Sequence, residues 1–143
     1  ADAGDALLID KLLVQMDHSA VDYTLFFRRL GEQPAAAALA TMRSEFANQA
    51  AFAEWVDEFL LRCSTDTRSQ AQRRTQMHAV NPLYMLRNYL IQLAIDEAED
   101  GNYGLLHKLH QVLSDPFTEQ PDCEIYAQRP PQWGKHLPIS CSS

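Results

Sequence analysis

The chain has 143 residues, of which 46% are hydrophobic and 22% are charged, and its formal net charge is −7 at pH 7. This length and apolar content are sufficient for one domain with a buried core. The acidic balance excludes a general nucleic-acid binder, and no apolar run reaches the roughly 18 residues that a membrane span needs, so we expect neither nucleic acid nor membrane as a partner.

Helical periodicity of the apolar residues predicts an all-α fold with five to seven helices and no sheet of three or more strands. Asp22 and Asn48 are suitable N-cap residues for two of these helices, and Gly31 suits the end of the first of them. An apolar stripe after Asn48 is predicted to be core: Phe52, Trp55, Val56, Phe59 and Leu60. The predicted helical segments are, approximately, residues 6–17, 23–30, 35–40, 49–62, 68–79, 83–100 and 103–113.

The longest periodic segment, about residues 83–100, is predicted to be the central helix of the fold. Pro82 suits the first turn of a helix because it has no N–H and a fixed φ, and Gly101 suits the end. The apolar arc of this segment is wider than a surface helix needs. We therefore expect neighbouring elements on two of its sides.

Arg87 points into the middle of that predicted apolar arc. A guanidinium does not lose its proton, so its burial would require a carboxylate or carbonyl partner. The residue four positions further on is Ile91, and the partner would have to come from elsewhere in the fold. We interpret Arg87 as half of a structural ion pair, with an anion or phosphate site as the alternative.

Other charged and nucleophilic residues form no pattern that is typical of a catalytic or metal site. His107 and His110 are three residues apart but have no further ligand on the same helix, so we interpret them as surface residues. An arginine cluster is interpreted as a solvated helix face, or alternatively as a contact with an acidic partner such as a preceding domain: Arg62, Arg68, Arg73 and Arg74. No catalytic, cofactor-binding or metal-binding residue is predicted in the chain.

Residues 114–143 contain five prolines and no helical periodicity, which excludes regular helix there. Spaced apolar side chains would hold an extended strap against the helices: Phe117, Tyr126, Trp133, Leu137 and Ile139. We therefore predict a helical domain over residues 1–113 and a Pro-rich C-terminal tail over residues 114–143. The tail would pack on the helices and end in a terminal cysteine motif.

Three cysteines, Cys63, Cys123 and Cys141, are widely spaced and form no Cys-x-x-Cys pattern, so we expect reduced thiols in a cytoplasmic protein. Cys63 falls at a predicted helix end and is interpreted as a structural thiol. Cys141 lies two residues from the end of the chain, where a mobile, exposed thiol favours exchange chemistry over packing. The first residue is not Met and no secretory signal is visible, so we expect a piece of a longer protein.

Several short motifs resemble one known family. Residues 81–90, NPLYMLRNYL, are similar to the NPxYxLRNYL segment of the selenoprotein O (YdiU) family. Residues 119–121, 130–133 and 140–143 resemble further blocks of that family's C-terminus, in the same order and spacing, and residues 22–28 resemble an earlier segment. The resemblance runs through nearly the whole chain but covers only about the last third of a full family member.

The resemblance implies that the chain is one region of a larger enzyme. The family has a protein-kinase-like, pseudokinase fold that transfers AMP from ATP to protein hydroxyls. The expected cofactors, ATP and Mg²⁺, would bind upstream in the full-length protein, and none would bind in this segment. Its expected partners are the upstream kinase-like domain, which it would support, and the protein substrates of the complete enzyme.

The resemblance also implies a redox-regulatory role for Cys141. The family has selenocysteine at this position in animals and cysteine in many bacteria, and some members form a reversible bond from it to a cysteine of the kinase-like core. Pro138 stands where some animal members have the first residue of a Cys-x-x-selenocysteine motif, so that local disulfide is excluded. The alternatives are a free-standing helical protein-interaction module without enzymatic activity and a small independent redox protein.

Overall fold

The computed structural model describes residues 3–32, 34–135 and 137 of the chain. These residues form seven α-helices and no strand, which confirms the predicted all-α class and the predicted number of helices. The helices are α1 Ala3–Ser19, α2 Tyr23–Leu30, α3 Ala35–Met42, α4 Gln49–Ser64, α5 Gln70–Val80, α6 Asn88–Glu99 and α7 Gly104–Ser114. Three short 3₁₀ helices lie at Arg43–Glu45, Glu124–Ala127 and Gln132–Gly134.

Contacts between residues divide the chain into two compact units, Ala1–Asn81 and Pro82–Ser143. Helices α1 to α5 belong to the first unit, and α6, α7 and the tail belong to the second. The predicted division into a helical domain over residues 1–113 and a tail over residues 114–143 stays a prediction. Within the second unit, Tyr126 of the tail packs against the two clusters of buried side chains to which α6 and α7 contribute.

The starts of three helices follow from local side-chain hydrogen bonds. The Asp22 carboxylate accepts from the Leu25 N–H and the Asn48 side chain accepts from the Ala51 N–H, both at 3.0 Å, which confirms the two predicted N-caps. Ser69 and Gln72 form a capping box at the start of α5 that was not predicted. Its Ser-x-x-Gln spacing was visible in the sequence and is a known start signal.

Four of the nine buried side chains in the core of the first unit are aromatic. Phe52 and Trp55 of α4 are buried, as the apolar stripe predicted, and Val56, Phe59 and Leu60 are partly buried against them. The Phe52 ring stacks on Phe46 with 3.8 Å between ring centroids, and Phe26 meets both rings edge-on. The Trp55 Nε1–H donates to the carbonyl oxygen of Leu8 at 2.9 Å, so the one polar atom of that indole is satisfied.

The predicted helix over residues 83–100 is wrong in its first part, because α6 begins only at Asn88. The N–H groups of Leu83 and Tyr84 both donate to the carbonyl oxygen of Pro116, at 2.8 and 3.1 Å. The buried Tyr84 side chain also accepts from the Gln120 N–H through its hydroxyl at 3.0 Å. These contacts with the tail replace the first helical turns, so tertiary structure overrides the local helix preference.

Helix α6 packs against α7, and their buried side chains form the core of the second unit: Tyr89, Leu90, Ala94 and Leu109. Gly101 follows α6 with a φ of +81°, a left-handed conformation that glycine adopts at low cost, so the predicted helix end is confirmed. The Gln120 Nε2 group donates to the carbonyl oxygens of Val112 and Asp115, both at 2.8 Å, and thereby satisfies the end of α7.

The described part of the tail contains two of the 3₁₀ helices, and an extended strap stays a prediction. Cys123 is buried and Tyr126 is partly buried, but Trp133 is 56% exposed and touches Tyr89 only edge-on. Gly134 lies so close to α6 that an added Cβ would come within 2.6 Å of the Tyr89 Cβ. Of the other predicted anchors, Phe117 is 39% exposed, Leu137 is partly exposed, and Ile139 lies outside the described residues.

Candidate functional site

Cys141, the predicted redox residue, lies outside the described residues, as does Pro138. Its role therefore stays a prediction that rests on its position and on the family resemblance. The other two cysteines are free thiols in different units, Cys63 partly buried at the end of α4 and Cys123 fully buried in the tail. Burial would protect Cys123 from exchange chemistry more completely than Cys63.

Arg87 does not lie in the middle of a helix. It is the N-cap residue of α6, with an extended backbone at φ −87° and ψ 146°, and its side chain is partly exposed. The expectation that it points into an apolar helical arc is wrong, because the helix begins after it. Its structural ion pair stays a prediction.

The buried charged residue of the first unit is Arg28 in α2, which is only 7% exposed. Its Nη1 group donates to the carbonyl oxygens of His78 and Asn81, at 3.3 and 3.1 Å. These two carbonyls close the end of α5, where helical backbone acceptors have no partner within the helix. Arg28 therefore joins α2 to the end of α5. The burial of Arg28 was not predicted, because the neighbouring residues Arg28 and Arg29 have the same local sequence context.

The predicted arginine cluster is largely paired with carboxylates inside the first unit. Arg62 pairs with Asp5 at 2.6 Å, Arg68 with Asp66 at 2.6 Å and Arg74 with Glu32 at 3.1 Å; the three arginines are exposed, whereas Asp5 and Asp66 are partly buried. Hydrogen bonds from Arg68 hold the pKa of Asp66 well below its usual range. This arrangement agrees with a solvated face that carries exposed ion pairs.

Cys63 lines a cavity of about 630 Å³ in the first unit, together with apolar side chains of α2, α4 and α5. Burial raises the pKa of the Cys63 thiol above its ordinary value of 9.0, and the nearby Arg73 only partly opposes this effect. A raised pKa keeps the thiol protonated at neutral pH, and the thiolate is the nucleophile. Cys63 is therefore a poor candidate for a reactive site.

An apolar groove runs between α6 and α7 in the second unit and has a volume of about 460 Å³. Ten residues line it, and only His110 and Ser114 among them are polar. Three of the apolar side chains are well exposed: Leu86 at 46%, Ile95 at 40% and Leu106 at 47%. Contiguous exposed apolar surface of this kind marks an interaction site more often than scattered single residues do.

No group of three or more His, Cys, Asp or Glu side chains in the described part of the chain is arranged to hold a metal ion. No helix in it combines the length and the apolar character that crossing a bilayer requires.

A family model described as "Protein adenylyltransferase SelO" matches residues 2–114, which is most of the chain. The chain belongs to the SelO family. This confirms the resemblance seen in the sequence motifs, and the matched residues include both the NPLYMLRNYL segment and the buried Arg28. The match to the family model ends at residue 114. The similarity of the tail therefore rests on individual relatives.

Three relatives, each called "Protein nucleotidyltransferase YdiU", match 100% of the chain. Identity is 55% with the protein of Pseudomonas putida (strain GB-1), 55% with that of Pseudomonas fluorescens (strain Pf0-1) and 54% with that of Ectopseudomonas mendocina (strain ymp). The chain spans only 29% or 30% of the length of these relatives. It therefore corresponds to a minor part of a SelO protein, and that part includes the tail.

Proposed function

We propose that the chain is the C-terminal helical region of a SelO-type protein adenylyltransferase, a cytoplasmic enzyme that transfers AMP from ATP to protein hydroxyls. The observation that carries this proposal is the SelO match over residues 2–114, together with relatives that are 53–55% identical over the whole chain. Because those relatives are more than three times as long, the catalytic part has ample room outside this region.

In this proposal the region supports a kinase-like core and contributes no residue to the nucleotide site. ATP and Mg²⁺ would bind to the upstream core, and protein substrates would bind the complete enzyme. Each of the two units is compact, and each could present packed helical surface to such a core.

Cys141 would regulate the enzyme by a reversible disulfide with a cysteine of the core. In the oxidising direction the two thiols lose two protons and two electrons to a small-molecule disulfide, which is reduced to two thiols; an excess of small-molecule thiol reverses the reaction.

Transfer of AMP by the complete protein tests this role. We expect incubation with oxidised glutathione to lower the transfer rate of the wild type, and excess reduced glutathione to restore it. Cys141→Ser should transfer AMP at the reduced wild-type rate under both conditions. Cys63→Ser is the matched control and should behave like the wild type. Wild-type transfer that does not respond to oxidation would contradict the regulatory role, and absence of transfer from the reduced wild type would contradict the activity.

The second candidate is a helical protein-interaction module without enzymatic activity, and the open α6–α7 groove is the observation that favours it. The two candidates differ in what the complete protein does with ATP. A protein that binds a partner through the groove and never transfers AMP would support the second candidate.

A further inference from the structure

The α6–α7 groove is built from two helical rows with the same spacing. On α6 the lining residues are Ile91, Ala94, Ile95 and Ala98, and on α7 they are Leu106, Leu109, His110 and Leu113. Both sets follow the pattern i, i+3, i+4, i+7, which places their side chains on one face of each helix. Two such parallel rows form the kind of trough that accepts the apolar face of another helix.

The floor and the rim of this groove differ in exposure. Ala94 and Leu109 are buried at the floor, whereas Ile95 and Leu106 are exposed at the rim. Ile95 is 40% exposed and Leu106 is 47% exposed. A second apolar surface that covered the exposed rim side chains would remove them from water, and this burial would lower the free energy of the complex.

Negative charge near the groove indicates which kind of segment would bind in it. Glu99 lies one helical turn after the rim residue Ile95, the last turn of α6 has no basic residue, and the carbonyl end of the helix dipole adds partial negative charge there. An occupant with basic residues beside its apolar face would complement this negative charge.

We propose that the α6–α7 groove holds an amphipathic helix, flanked by basic residues, from the part of the SelO protein that lies outside these 143 residues. The inference rests on the proposed function in one respect, namely that the chain is one region of a longer SelO protein. The relatives have about 70% of their length outside the matched region, since the chain spans 29% or 30% of them. That length is a covalently attached source of such a helix, present at high effective concentration.

Two single-cysteine probes in the purified complete protein test this inference. Leu106→Cys places a thiol on the groove rim, and Ile125→Cys is the matched control, because Ile125 is 62% exposed in the same unit and does not line the groove. Each alkylation rate is divided by the rate of the same variant in denaturant. We expect the thiol at position 106 to be at least about tenfold more protected than the thiol at position 125, because its alkylation requires the contact to open.

The occupant is then identified with a photo-crosslinking amino acid at position 106 or, if that variant does not fold, at position 95. The expected product is an intramolecular crosslink to an apolar position of a helix outside these 143 residues. Four results would overturn the inference: equal protection at both positions, a crosslink to a second copy, a crosslink to residues 138–143, or a crosslink to another protein.

The same preparation separates this inference from the proposed function. AMP transfer with an unprotected thiol at position 106 would overturn the groove assignment alone. A protected, intramolecularly crosslinked groove in a protein that never transfers AMP would overturn the proposed activity alone.

Discussion

Two adjacent arginines of α2 have opposite environments. Arg28 is buried and donates to two backbone carbonyls, whereas Arg29 is exposed and pairs with Glu45 at 2.8 Å. The sequence could not separate them, because both lie in the last turn of one amphipathic helix and their difference arises from the position of α5. The same limit explains Arg87, whose expected burial followed from a helix that starts five residues later than predicted.

Replacement of Arg28 tests the importance of its buried hydrogen bonds. Arg28→Ala should lower the free energy of unfolding by about 2–3 kcal/mol, because two partly buried carbonyl acceptors lose a charged donor. Arg29→Ala is the control and should cost less than about 1 kcal/mol, since exposed ion pairs contribute little. Urea denaturation in a Trp133→Phe background measures both, because Trp55 then reports alone on the first unit. Equal effects of the two replacements would contradict the assignment.

The pH dependence of Cys63 alkylation tests its environment. Burial raises the pKa of this thiol above 9.0, so the folded state favours the protonated form and the thiolate appears only at higher pH. We expect the alkylation rate of the native protein to rise with a midpoint above 9.0, and the midpoint to fall when the protein is denatured. Site-resolved mass spectrometry separates Cys63 from the other two cysteines. A native midpoint below 9.0 would mean that the neighbouring arginines outweigh burial.

Helix ends differ in how much the sequence reveals about them. The starts of α2 and α4 follow from Asp22 and Asn48, whose side chains bond N–H groups three residues further on, so a local pattern was sufficient. The start of α6 depends on Pro116 and Gln120, which lie more than 30 residues away from Tyr84, and no local pattern contains that information. Residues 83–87 were predicted to be helical for this reason.

Removal of the Tyr84 hydroxyl tests whether its contact with the tail holds residues 83–87 in their non-helical conformation. Tyr84→Phe should reduce the free energy of unfolding by about 1 kcal/mol, because the partly buried N–H of Gln120 loses its acceptor while the ring packing is kept. Tyr103→Phe removes a hydroxyl from an exposed ring and should change stability by less than about 0.5 kcal/mol. Urea denaturation measures the difference. A Tyr84→Phe protein as stable as the wild type would show that the hydroxyl does not hold the segment.

At the scale of the whole molecule, the sequence predicted the class of fold and the family, since seven helical periodicities and several distinctive motifs each depend on short stretches. It did not predict the division after Asn81, because that division reflects long-range packing of the tail on α6 and α7. The α6–α7 groove was missed for a similar reason. Ile95 and Leu106 have the helical spacing of core residues, and their exposure follows only from the way in which α6 packs against α7.

The central claim is that this region supports a nucleotide site that lies elsewhere in the SelO protein. Calorimetric titration with ATP and Mg²⁺, carried out in parallel on the 143-residue chain and on the complete protein, tests it most directly. We predict that the complete protein binds ATP and that the 143-residue chain alone binds it no more tightly than about millimolar. Recognition of phosphate and Mg²⁺ would require residues outside the 143-residue chain. Micromolar binding of ATP by the 143-residue chain would contradict the account.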